Sequence, residues 1–137
     1  MSTRHRVRHT RLGKAPGHSK ANLRNLVNQL IEHDRIVTTE ARGRVMRREA
    51  ERMVTKAKRG LAAGGNRVHA YRLLMSRLNQ NRASVERLFE TLAPRYAERN
   101  GGYTRMIKLG ARKVDSAPMV LVEFVDSPLT TAAGEES

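Results

Sequence analysis

No acidic residue precedes Glu32, while residues 1–31 carry seven cationic side chains (Arg4, Arg6, Arg8, Arg11, Lys14, Lys20 and Arg24) and three histidines (His5, His9 and His18). This asymmetry limits the fold more than any other feature. The run RHRVRHTRLGKAPGHS (4–19) has almost nothing apolar to bury, so residues 1–18 read as an extended basic arm, disordered when free. A transit peptide would need an amphipathic helical face, and Val7, Leu12 and Ala15 do not make one.

The imbalance persists beyond the arm. Twenty-seven Lys and Arg face 13 Asp and Glu, a formal net charge of +14 in 137 residues. Charge of one sign repels itself in a compact state unless a polyanion neutralises it, and each cation placed on a nucleic-acid phosphate gains from counterion release. Arg outnumbers Lys, and the guanidinium fork suits ordered phosphate and base contacts. A membrane is not the expected partner, because no basic helix has a bulky aromatic face and no apolar run reaches spanning length. The chain has no cysteine, which excludes a disulfide scaffold and a thiolate metal site and suits a reducing compartment.

With no Trp and aromatics at only 4%, a core must come from Leu, Val, Ile, Met and Ala. Leu23, Leu26, Val27, Leu30 and Ile31 have the spacing of an amphipathic helix, with Ser19 as its N-cap. RIVTT (35–39) is short and β-branched, the pattern of a strand. A second helix is expected over 40–59 with Met46, Ala50, Met53, Val54 and Ala57 as its buried stripe; Gly43 weakens its first turns by about 1 kcal/mol relative to Ala. GLAAGG (60–65) reads as a loop, and Asn66 caps a third helix carrying Ala70, Leu73, Leu74 and Leu78. After NQN, Val85, Leu88, Phe89 and Leu92 mark a fourth, expected to stop near Ala93 ahead of Pro94. YTRMIKL and MVLVEFV are strand-like, with Val120, Val122 and Phe124 on one apolar face. The expected fold is α+β: about four helices on a small two- to three-stranded sheet, mixed or antiparallel. It forms a single domain over 19–126, followed by a disordered tail over 127–137.

No catalytic constellation emerges. His5 and His9 have helical spacing but sit among arginines that repel a cation, and no third ligand accompanies them. His33 beside Asp34 suits the end of a helix. There is no nucleophile elbow and no paired carboxylate in apolar surroundings. No enzyme activity, metal, cofactor or small-molecule substrate is therefore expected.

RNGGYTRMIKLGAR (99–112) superficially suggests a phosphate loop. Such a loop follows a strand and opens a helix, whereas Gly101 and Gly102 follow a helix and precede a strand. The glycines are expected to make a turn with unusual φ values. Dense cations (Arg95, Arg99, Arg105, Lys108, Arg112, Lys113) surround Tyr96 and Tyr103, which either contact nucleic acid or pack in the core. On the second helix Arg44, Arg48, Arg52 and Arg59 line up at helical spacing with too few acids to neutralise them.

LAPRYAERNGGYTRMIKLG closely resembles the bacterial-type large ribosomal subunit protein seventeen family. RHR, RLGK (11–14), RNL (24–26), IVTTEARGR (36–44), MRREAERMVTKAK (46–58), ERLFETL (86–92) and DSAPMVLVEFVD (115–126) are similar to it in order and spacing. Where that family usually has Ala in the second helix, this chain has Gly43. The resemblance implies a cytoplasmic structural component of the large ribosomal subunit, bound to its rRNA near the outer end of the peptide exit tunnel beside neighbouring ribosomal proteins. The candidate RNA contacts are Arg4, His5, Arg6, Arg8, Arg11, Lys14 and His18 in the arm, Lys20, Arg24 and Asn25 in the first helix, and Arg44, Arg48 and Arg52 in the second. Arg95, Arg99, Gly101, Gly102, Tyr103, Thr104, Arg105, Lys108, Arg112 and Lys113 complete the set. A nucleoid-type DNA-binding protein is the alternative reading, with an RNA-modifying enzyme third.

Overall fold

The computed structural model describes residues 16–128, with side chains from Ser19 onward. Along the chain come α1 (Pro16–His33), β1 (Arg35–Thr39), α2 (Glu40–Leu61), α3 (Arg67–Arg77) and α4 (Arg82–Arg87). A π-helical turn (Leu88–Leu92), the short α5 (Ala93–Arg95), β2 (Thr104–Ala111) and β3 (Pro118–Phe124) follow. The three strands form one sheet of order β1-β3-β2, antiparallel throughout, which selects the antiparallel form of the expected α+β architecture.

Strand alternation sets the core. Val120, Val122 and Phe124 of β3 are fully buried, and Val122 is flanked by Ile36 of β1 and Met106 of β2. Against this face lies α2, whose stripe of Met46, Ala50, Met53, Val54 and Ala57 is inside as its spacing requires. Gly43 explains how close the helix comes. A Cβ built there would stand 2.7 Å from Val120 Cγ2 and 3.2 Å from Val122 Cγ2, so the bare backbone is what admits the valines. The glycine that costs helix propensity is repaid in helix–sheet packing.

Three boundaries differ from the local sequence signals. The first helix begins at Pro16, so Ser19 lies within it and is not its N-cap; Pro is well suited to a first turn, where its missing N–H has no helical partner to lose. The second continues to Leu61, through Gly60. Pro94 does not stop the fourth helical run: the Ala93 N–H reaches the Leu88 carbonyl across a π-turn, and helix resumes through Arg95. A widened turn gives room for a proline ring that would clash with a carbonyl four residues back. The asparagine cap is as expected, the Asn66 side chain accepting from the His69 N–H at 2.9 Å, and Asn81 does the same for Ser84.

Tyr96 and Tyr103 both pack in the core. Their ring centroids are 5.1 Å apart, Tyr96 lies 6.3 Å from Phe124, and the Tyr96 hydroxyl donates to the Val125 carbonyl. Burial pushes the Tyr96 hydroxyl pKa up, an effect the neighbouring Arg95 opposes.

Candidate nucleic-acid interface

The exposed side of α2 is cationic because its apolar stripe faces the sheet. Arg44, Arg48, Arg52 and Arg59 recur at spacings of four, four and seven residues on the opposite side, and all four are exposed. The segment carrying the glycine pair folds back onto this row. Arg48, Arg52, Lys56 and Arg59 line a groove together with Gly101 and Tyr103. Lys108 of β2 joins at the other end, where Glu40 pairs with Arg44 and lies 4.0 Å from the Lys108 ammonium.

A polar network fixes that arrangement. Arg47 donates to the Thr104 hydroxyl at 3.0 Å and to its carbonyl at 3.1 Å, while the Thr104 hydroxyl donates to Glu51 at 2.8 Å. Lys58 donates to the Tyr103 hydroxyl at 3.0 Å and to the Arg99 carbonyl, with its ammonium 5.0 Å from the Tyr103 ring centre. Gly102 turns the chain at φ 61°, a left-handed conformation that favours glycine, and β2 starts two residues later. Arg47, Glu51 and Lys58 thus hold the turn against α2. Periodicity marked none of them, because their partners are distant in the chain.

Not every predicted contact faces outward. Tyr103 and Thr104 are each 2% exposed, so their side chains serve the fold, and Arg95 belongs to a buried cluster around Asp34. Asp34 ends α1 at φ 64° and is 4% exposed. A carboxylate at a helix C-terminus opposes the helix dipole and calls for cations. Arg87 supplies one at 3.1 Å and Arg95 another at 3.5 Å, and the Ser127 hydroxyl donates at 3.1 Å. The acid standing where Gly or Asn usually closes a helix was the available sequence signal for this centre.

The other predicted cations are spread over the surface. Lys20 and Asn25 are exposed on α1 and Arg24 is half-buried there; none of them lines the α2 groove. Arg99 lies 3.5 Å from Asp126, and Arg105 pairs with the buried Glu123. In the β2–β3 turn Arg112 clasps Asp115, and Lys113 is exposed beside it. The Arg112 hydrogen bonds, helped by the Ala117 N–H, hold the Asp115 carboxyl pKa down at about 2. The Arg99 and Arg112 pairs are exposed on both sides, hence weak and exchangeable, so these two arginines can trade a carboxylate for a phosphate; Arg105 is held by a buried acid. Arg4, His5, Arg6, Arg8, Arg11 and Lys14 lie outside the described residues, and His18 is placed in α1 by its backbone alone. Among the described residues no His, Asp and Glu group is arranged to hold a metal ion, and no helix is long and apolar enough to cross a membrane.

The small α+β domain carries a cationic helix face with a glycine turn pinned beside it. Residues 22–125 match the family described as ribosomal protein L17, and the chain belongs to that family. It is similar to the large ribosomal subunit protein bL17 of Syntrophotalea carbinolica, 44% identical over 93% of this chain and 77% of the relative. The protein of the same description from Geobacter metallireducens is 44% identical over 90% of this chain and 65% of the relative. That from Pelobacter propionicus is 41% identical over 95% and 97%.

Proposed function

We propose that this chain is a structural, non-enzymatic component of the large ribosomal subunit that binds large-subunit rRNA, working in the cytoplasm near the outer end of the peptide exit tunnel beside other ribosomal proteins. Family membership supports the ribosomal role. The observation that carries RNA binding is the row Arg44, Arg48, Arg52 and Arg59, exposed along one helix with Gly101 seated beside it. The basic stretch ahead of Pro16, where α1 begins, reaches between RNA helices where a globular surface cannot enter, and orders there. No observation favours the nucleoid reading.

Sedimentation of a cell extract on a ribosome gradient tests the assignment. The chain is expected with large subunits and whole ribosomes, and recovery only with small subunits or as free protein overturns it. Deleting residues 1–15, which leaves α1 whole, is expected to impair incorporation; the helical content of the truncated free domain then tells a missing RNA anchor from a failure to fold.

A further inference from the structure

Tyr103 stands between two grooves of different chemistry. One is the cationic groove of Arg48, Arg52, Lys56 and Arg59. The other is an open depression of about 490 Å³. Leu61, Ala62, Pro94 and Ala97 give it apolar walls, and Lys58 and Asn100 supply polar groups. Thr55, Arg59 and Tyr103 line both, so the two grooves adjoin.

We infer that this pair of grooves seats one unpaired nucleotide of the bound RNA, its base in the apolar depression and its phosphate on the cationic side. The inference rests on the rRNA-binding reading and adds to it where and how a single nucleotide is held. A base has two apolar faces and a polar edge, matching alanine, leucine and proline walls with one amide. Asn100 offers both a donor and an acceptor, and such an amide can read a base edge that double-stranded RNA would hide. The adjoining cations lie where the backbone must run if a base is turned into the depression. Lys58 is already held by the Tyr103 hydroxyl and the Arg99 carbonyl, so its charge is positioned before RNA arrives.

Charge decides between occupants. The adjoining groove bears four cations, Arg48, Arg52, Lys56 and Arg59, against one acid, Glu51, a surplus that favours a phosphate backbone over an ordinary protein segment. The Lys56 ammonium pKa is lowered, by burial first and then by the neighbouring Arg77. A free mononucleotide is a poorer fit, because the glycines form a turn ahead of a strand and no phosphate-cradling loop opens a helix here.

The test uses the full-length chain, a large-subunit rRNA transcript and equilibrium binding across a range of salt. Ala97→Trp and Ala62→Trp each fill the depression from an exposed position. Each is expected to weaken binding about tenfold, the scale of one stacked base, while keeping the parental salt slope and thermal midpoint. The pair Arg52→Gln with Lys56→Gln is expected instead to flatten the slope by about 0.7–0.9 for each phosphate left without its cation. Should a tryptophan lower the thermal midpoint, Asn100→Ala removes only the amide and gives the same comparison. A photo-crosslinking residue at position 97 is expected to mark one unpaired rRNA nucleotide in assembled subunits. Parental affinity in both tryptophan variants, or a crosslink to a ribosomal protein in place of rRNA, overturns the nucleotide site and leaves rRNA binding standing. Failure of the parent chain to bind the transcript overturns the rRNA reading itself, and this inference with it.

Discussion

Asp34 and Arg95, the first closing α1 and the second ending α5, meet in the interior at 3.5 Å. The ion pair draws Arg95 away from the surface, leaving its side chain 13% exposed, and Arg87 completes the cluster from α4. Removing one partner of a buried pair strands the other. Asp34→Ala is therefore expected to lower unfolding free energy by about 3–5 kcal/mol in a urea titration. Arg95→Gln is expected to destabilise too, yet to leave the salt slope of rRNA binding unchanged. A flattened slope for Arg95→Gln would return that residue to the RNA-facing set.

The α2 row is expected to behave in the opposite way. Arg48→Gln and Arg52→Gln sit on an exposed helix face and should shift the thermal midpoint little. Each is expected to weaken rRNA binding and reduce the salt slope by about 0.7–0.9. Affinity measured between low and moderate salt checks this, and an unchanged slope for both would place the RNA on another face.

Gly43→Ala tests two effects of opposite sign. Alanine gains about 1 kcal/mol in helix propensity. It also sets a methyl 2.7 Å from Val120 Cγ2, and valine, branched at Cβ, cannot swing clear. Overpacking of this kind costs about 1–3 kcal/mol, so the substitution is expected to be destabilising overall by up to about 2 kcal/mol. Adding Val120→Ala, a cavity-forming change by itself, should cost less in the Gly43→Ala background than in the parent chain. Simple additivity of the two losses in thermal melts would contradict the close approach.

Asp115 provides a pH prediction. Its carboxyl pKa is held at about 2 by Arg112, below the ordinary 3.8. Because the folded value is depressed, the contribution is complete above the ordinary carboxylate range and disappears as pH falls through about 2. The pair is exposed, so its effect on stability is small. NMR titration should place the Asp115 midpoint near 2 and return it toward 3.8 in Arg112→Gln.

Local pattern made much of the fold legible. RIVTT is β1 without adjustment, the α2 stripe lies inside, and Asn66 caps where its position suggested. Each of those features is decided by residues within a few positions of one another. Pro94 was misleading because a stop signal presumes a regular α-helix, and the chain instead widens into a π-turn. In the candidate interface, the arginine row of α2 could be read from helical spacing. Its companions could not: Arg47 meets Thr104 and Lys58 meets Tyr103 across dozens of residues, and no periodicity encodes such meetings. Tyr103 amid cations left nucleic-acid contact and core packing both open, because the same composition arises when a core residue lies beneath a charged rim.

The close approach of Gly43 to Val120 also imposes an order on sequence change. A lineage moving from glycine and valine to alanine at both positions can pass through a small cavity, by shrinking Val120 first, or through a steric clash, by enlarging Gly43 first. The first path keeps the helix on the sheet at every step. Relatives with alanine in place of Gly43 are thus expected to carry a residue smaller than valine opposite it, so that positions 43 and 120 vary together.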